Sequence, residues 1–196
     1  MHTDTTYAPI RRIGPGEHES VVDVLVEAFR DDPFAAWLFP EPAGQAGYYR
    51  SLLAHPAAEA YRSGRDGAAV WIASAGDETG GAEPTGRLAA VGAALAGRRP
   101  AEPHLHLAVM GVVARRRGGG LGSQLLRHRL RRAGYDGTGA YLEAASPRSR
   151  ALYLRHGFED AGPPVELDEG LSLFPMWRRP AARTTSVPTR KRSTRP

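Results

Sequence analysis

The spacing of apolar positions along the 196-residue chain divides it into alternating strands and helices. Residues 7–14, YAPIRRIG, read as a short first strand closed by Gly14-Pro15-Gly16. From Glu17 to Phe29 the residues Val21, Val22, Val24, Leu25, Ala28 and Phe29 recur at helical spacing. Residues 31–42, DDPFAAWLFPEP, follow as a loop holding a short helical turn, bracketed by Pro33 and Pro40. Residues 44–64 make a second helical region, broken or kinked at Pro56. Two strand-like runs come next, GAAVWIASA and GRLAAVGAAL, and the polar, glycine-rich GDETGGAEPTG between them reads as a hairpin connection. HLHLAVMGVV, residues 104–113, is the clearest strand, and a glycine-rich turn leads from it into a helix over Leu121 to Ala133. GAYLEAA is a further strand. SPRSRALYLRHGF is a short helix with Ser146 as its cap, Pro147 at its first position and Gly157 ending it. GFEDAGPPVEL and GLSLFPMWR form a closing pair of strands. Strands mixed with helices, without internal repeat, predict one α+β, mixed-sheet domain.

A chain of this length supports one ordinary core and is short for two domains. No apolar run approaches the roughly 18 residues of a membrane span, and MHTDTTYAPIRRIG lacks the apolar stretch of a signal peptide. With no cysteine there is no disulfide framework, thiolate nucleophile or cysteine-based metal site. A cytoplasmic protein is the expectation. The pI of about 10.0 suggests nucleic acid until the charge is located. Residues 178–196 hold six arginines and one lysine without an acid; taking those seven from the net +5 leaves −2 for residues 1–177. A near-neutral domain over 1–177 with a basic, disordered tail over 178–196 is therefore expected. The tail could touch nucleic acid through nonspecific phosphate contacts, or be a solvated end.

The chemistry concentrates where VVARRRGGGLGSQLL leaves the clearest strand. Gly118, Gly119, Gly120 and Gly122 remove side chains where the chain turns, letting a ligand approach the backbone closely. The first helical N–H groups have no partner in their own helix and carry its positive dipole end, so an anion, most naturally a phosphate, fits. Arg115, Arg116 and Arg117 add cationic donors around the turn. A nucleoside-triphosphate loop would need G-x-x-x-x-G-K-S/T, and no lysine is near; the dinucleotide fingerprint fails at Leu125. A glycine-rich connection without a ligand is the alternative.

Arg117-x-x-Gly120-x-Gly122 resembles the Gln/Arg-x-x-Gly-x-Gly/Ala motif of the GNAT superfamily of acyl-CoA N-acyltransferases. LAVMGVVARRRGGGLGSQLL is similar to that family's fourth strand, pyrophosphate loop and third helix. LEAASPRSRALYLRHGFE resembles its second signature: a strand, a helix bearing Leu-Tyr, then Gly-Phe. The resemblance spans roughly Glu102 to Phe158, and element order extends it over Tyr7 to Arg178. EAFRDDPFAAWLFP, EPHLHL and PMWR further resemble the puromycin N-acetyltransferase-like branch. Val113-Ala114 departs from the Asp-Pro of many relatives, which bears on loop shape.

The resemblance implies the GNAT fold, a mostly antiparallel central sheet flanked by helices, with acetyl-CoA as co-substrate and no metal. It places the pyrophosphate on the amides of Arg117, Gly118, Gly119, Gly120, Leu121, Gly122 and Ser123. The pantetheine arm would lie on Met110, Gly111 and Val112, on a strand that splays from its neighbour, and the Val112 amide would face the thioester carbonyl. Ser149 stands where many relatives carry an asparagine near the pantetheine. Tyr153 takes the position from which relatives protonate the departing thiolate; its ordinary pKa near 10 keeps it protonated at neutral pH. Packing of an aromatic residue against the sheet is the alternative. For the base, His106 falls where histone-acetylating relatives place a glutamate, and imidazole suits proton uptake. His104, Glu143 or plain structural polarity are the other readings. His104 and His106, two apart on a strand, share a face with Ala108 and Met110. One of Arg148, Arg150 and Arg155 could meet the adenosine 3′-phosphate; a solvated face is the alternative.

The acceptor side is expected from AFRDDPFAAWLFP with Tyr48 and Tyr49. Asp31 and Asp32 beside Phe29, Phe34, Trp37 and Phe39 would suit a cationic amine with an apolar or aromatic body; core packing is the alternative there. The expected activity is acetyl transfer to a small-molecule amine, an antibiotic or metabolite, by direct attack in a ternary complex. Acetylation of a protein amine, or a non-catalytic domain that senses coenzyme A or touches RNA, are the alternatives. A homodimer is an expectation without a sequence signature.

Overall fold

A computed structural model of the chain describes residues 9–63, 69–75, 86–167 and 170–180. Its strands are β1 (Ile10–Arg12), β2 (Glu59–Ser63), β3 (Ala69–Ala75), β4 (His104–Val112), β5 (Gly139–Ala144), β6 (Glu159–Asp160), β7 (Val165–Glu166) and β8 (Ser172–Arg178). They stand in the order β1-β2-β3-β4-β5-β8-β6, with β7 also on β8. Every pairing is antiparallel except β4 with β5. The helices are α1 (His18–Ala28), α2 (Pro33–Leu38), α3 (Pro42–Ala54), α4 (Gly86–Leu95), α5 (Leu121–Asp136) and α6 (Pro147–Leu154).

Burial follows the periodicity that set the elements. Val21, Val22, Leu25 and Ala28 of α1 and Tyr49, Leu52 and Leu53 of α3 cover one face of the sheet, with Ala60 and Val113. Leu125, Leu126, Leu130 and Ala133 of α5 and Tyr153 of α6 cover the other, against Leu105, Leu107, Ala140, Leu142 and Met176. Each fully buried leucine or valine contributes roughly 1.5–3 kcal/mol, so these two layers hold the sheet between them. Trp37, Leu38, Val91, Leu95, Val165 and Leu173 form a third cluster joining α2, α4, β7 and β8.

Four expectations are corrected. GRLAAVGAAL is helix α4, not a strand. Its alanines favour a helix, and Val91 and Leu95, one turn apart, are its buried positions. The expected hairpin is thereby lost; β3 instead pairs with β2 and β4, and residues 76–85 lie outside the described residues. The second helical region ends at Ala54, ahead of Pro56, and Glu59–Ser63 is strand β2. Lastly, α5 runs to Asp136, because the capping glycine in the left-handed region is Gly137 (φ 66°). Strand β8 ends at Arg178, one residue inside the expected tail, and residues 181–196 lie outside the described residues.

Candidate active site

Strands β4 and β5 are in register only at His104 with Gly139, Leu105 with Ala140 and His106 with Tyr141. Beyond that point β4 continues to Val112 and β5 to Ala144 without pairing to each other. A gap therefore opens in the middle of the sheet, bordered by Met110, Gly111 and Val112. A β-bulge shapes this border: Ile72 opposes Val109 while Ala73 opposes Leu107, so Ala108 is the extra residue. The bulge reverses the alternation that the spacing predicts. His104 and His106 keep one face, but Met110 and Val112 turn to the α5 and α6 side. Gly111 faces α1 instead; a β-carbon there would come within 2.9 Å of Ala28 Cβ and 3.0 Å of Phe29. Glycine is required at this position because a helix packs onto the bare strand.

After β4 the chain makes a 3-10 turn over Ala114–Arg116 and then the glycine loop. Gly118 (φ 81°) and Gly120 (φ 78°) adopt the left-handed conformation that other residues resist. Gln124 is the first amide of α5 with a carbonyl partner, Gly120 O at 3.0 Å. Among the described residues, the amides of Gly118, Gly119, Gly120, Leu121, Gly122 and Ser123 have no such partner. Six consecutive free donors at the positive end of a helix of this length fit a diphosphate. Met110, Leu152 and Val112 lie in ordinary contact range of a β-carbon at Gly122, so the bare position sits where strand, loop and α6 meet.

Two of the arginines before the loop are engaged with α1 and β4. Arg115 pairs with Glu27. Arg117 donates to Val112 O at 3.0 Å and to Ala28 O, tying the end of β4 to the C-terminal end of α1. Arg115 and Arg117 thus aim at α1, leaving the loop's backbone to face a ligand. Ser123 Oγ lies 3.0 Å from His156 Nε2, a bridge from α5 to the turn after α6 that the sequence did not announce. The Ser149 hydroxyl is engaged in the α6 capping box, donating to Ser146 O at 2.9 Å and accepting from Ser146 N at 3.1 Å.

Where β4 and β5 part, His106 Nε2 lies 3.1 Å from Glu143 Oε2. Burial works to raise the Glu143 pKa, but the His106 hydrogen bond and the charges of His106 and Arg99 outweigh it and hold it below its ordinary value. An ionised carboxylate only accepts, so His106 Nε2 carries the proton that faces Glu143. Arg99, on the turn after α4, stands 3.7 Å from Glu143. Tyr141 is fully buried on the same face, with its ring 5.8 Å from that of His106. Burial, and then the nearby Glu143 carboxylate, push the Tyr141 phenol up. On α3, Tyr48 feels the charge of the same carboxylate: burial, and then Glu143, raise its pKa to about 12. Sequence spacing could have put Tyr141 beside Glu143, two apart on one strand; nothing local pointed to Arg99.

His104 is a wall residue by geometry. Its Nδ1 donates to Glu102 O at 2.8 Å, and its ring meets Tyr141 and Trp177 edge-on at 5.7 and 5.8 Å. Tyr153 lies across the sheet, buried against Phe158 with ring centroids 5.8 Å apart, and its hydroxyl makes no hydrogen bond among the described residues. Burial raises its pKa, which keeps it protonated. His106 and Tyr153 therefore stand on opposite faces, and the gap between β4 and β5 is what connects them.

On the expected acceptor side, Asp32 caps α2, accepting from Ala35 N at 2.9 Å. Trp37 and Leu38 are core, Phe34 stacks obliquely on Trp37 at 6.1 Å, and Phe29 meets Tyr49 at 6.3 Å. Arg87 of α4 lies over the Trp37 ring at 5.2 Å and donates to its carbonyl. These contacts lock α2 and α4 into a wall beside Tyr48 and Phe39, whose rings are 5.2 Å apart. No group of three or more histidine, aspartate or glutamate side chains is disposed to hold a metal among the described residues. Nor is any described helix long and apolar enough to cross a membrane.

Residues 66–160 match the family described as acetyltransferase (GNAT) domain. Among solved structures, a Corynebacterium glutamicum protein described as histone acetyltransferase HPA2 and related acetyltransferase is 28% identical with a TM-score of 0.69, over 91% of this chain and 99% of that one. An acetyltransferase from Thermus thermophilus is 18% identical with a TM-score of 0.58, over 91% of this chain and 99% of that one. The ribosomal-protein alanine N-acetyltransferase of Escherichia coli is 14% identical with a TM-score of 0.58, over 90% and 97%. The last two are likenesses of fold.

Proposed function

We propose, from the GNAT fold and the match of residues 66–160 to the acetyltransferase (GNAT) domain family, that the chain transfers the acetyl group of acetyl-CoA to an amine of a small molecule, within a ternary complex. The observation that carries this reading is the opening of the sheet between β4 and β5 directly beside six unpartnered loop amides. The residues present fit the co-substrate: Gly118 to Ser123 would hold its pyrophosphate, and the free edge at Met110, Gly111 and Val112 its pantetheine arm. Acetyl-CoA supplies an activated acetyl thioester. Glu143 holds the His106 imidazole with its Nε2 proton inward, and Nδ1 takes the proton of the attacking amine. Tyr153, kept protonated by burial, gives its proton to the departing sulfur.

A small acceptor is supported by the wall of α2 and α4, pinned by Arg87 on Trp37. The puromycin N-acetyltransferase-like branch belongs to the same reading. Acetylation of a protein amine is a second reading, favoured by the likeness to the Corynebacterium protein. A panel of small amines and of peptide N-termini, followed by release of free coenzyme A thiol, separates the two. In that assay Tyr153→Phe should lower turnover about ten-fold or more with acetyl-CoA affinity nearly intact; wild-type turnover would make Tyr153 a packing residue. Gly120→Asp, which strains a left-handed position and sets a carboxylate against the diphosphate, should abolish acetyl-CoA binding by calorimetry. Undiminished affinity would remove the loop from the site.

A further inference from the structure

The outer face of α5 takes no part in this chemistry. Along Leu121–Asp136 the helix carries Arg127, Arg129, Arg131 and Arg132, with no acid before Asp136. Arg129 turns inward to Glu59 at 2.7 Å. Arg127, Arg131 and Arg132 are exposed, and none meets a carboxylate among the described residues. Tyr135 follows on the same face, 90% exposed. Positions 127, 131 and 135 stand about one turn apart, a line about 12 Å long. Like charges at this spacing repel and weaken a helix, and an exposed phenol ring gains nothing from burial. Burial and the charges of Arg131, Arg129 and Arg132 also hold the His128 imidazole below its ordinary value. The patch is not a sample of a basic body, since residues 1–177 sum to −2 once the seven basic residues beyond are taken from +5.

Strand β8 also ends at this place. Arg178, the last residue of β8, lies opposite Ala140, three residues after the Gly137 that caps α5. Residues 181–196 carry five more basic residues and no acid.

We propose that Arg127, Arg131, Arg132 and Tyr135 form a docking surface for single-stranded nucleic acid. Guanidinium groups take phosphates, and the tyrosine ring stacks on a base without reading its identity. A duplex keeps its bases stacked inward and offers Tyr135 no face. An acidic peptide satisfies the arginines but leaves the ring in water. Tyr135 is about 21 Å along the helix from Leu121 at the glycine loop, so this surface stands whether or not the acetyl-transfer reading does.

The test is fluorescence anisotropy of the full chain with a labelled oligouridylate of about 20 nucleotides, between about 50 and 200 mM salt. Arg131→Ala with Arg132→Ala should weaken binding about ten-fold and reduce the slope of log affinity on log salt by about 1.4. Tyr135→Ala should weaken it about five-fold or more and leave that slope unchanged. Thermal melts verify that these surface variants fold. No binding by the wild-type chain overturns the proposal. So does wild-type binding by the α5 variants with loss only on deleting residues 181–196. Duplex or polyglutamate of equal charge binding as tightly as oligouridylate overturns it equally.

Discussion

Glu143 and His106 show how one contact gives two residues their properties. A carboxylate buried alone loses its hydration; here His106 and Arg99 replace it, and the pKa ends below its ordinary 4.5. A folded-state pKa below the unfolded one means the charge stabilises the fold above about 4.5 and that this stability is lost as pH falls through the folded value. Glu143→Gln should therefore flatten the acid limb of a plot of Tm against pH, measured calorimetrically from neutral pH downward. An unchanged acid limb would show that the carboxylate is not held by its neighbours. The two histidines were legible on one face from their spacing. The bulge at Ala108, which sends Met110 to the other side, was not, because an extra residue in a ladder is defined by the partner strand.

At the scale of elements, glycines mark where neighbours press closest. A β-carbon at Gly139 would lie 2.1 Å from the Trp177 ring of β8, far inside contact distance. Gly139→Ala should cost about 1–3 kcal/mol through overpacking, read as a lowered midpoint in urea unfolding. Combining it with Trp177→Leu should recover part of the loss; simple additivity would deny the clash. The helices α1, α5 and α6 announced themselves through period and caps, and Ser146 caps α6 as its sequence predicts. α4 did not, because an alanine-rich run of ten residues buries only where a partner supplies a surface, here Trp37 and Leu38 of α2. β2 was hidden by the helical composition before Pro56, and its strand state comes from pairing on both sides.

For the whole molecule, the two main cores fix the sheet, and the third ties α2 and α4 to β7 and β8, beside the acceptor site proposed above. Leu95 belongs to that third cluster, and Arg99 reaches Glu143 from the turn that follows it. Leu95→Ala should cost roughly 2–5 kcal/mol. It should also raise KM for the amine more than it changes acetyl-CoA affinity, by steady-state kinetics alongside calorimetry. Equal losses in both would place α4 outside the acceptor wall.

The sequence by itself determined the elements whose signals are local: a stripe at helical period, a capping serine, glycines at a turn that must run left-handed. It also pointed to the unpartnered amides at the start of α5, since bare amides at a helix start follow from chain order and glycine. Only the tertiary structure decided that β4 and β5 part after His106, that His106 meets Glu143, and that Arg115 and Arg117 turn to α1. Those outcomes depend on which surfaces meet across long stretches of chain, and no window of neighbouring residues encodes the energy of that meeting.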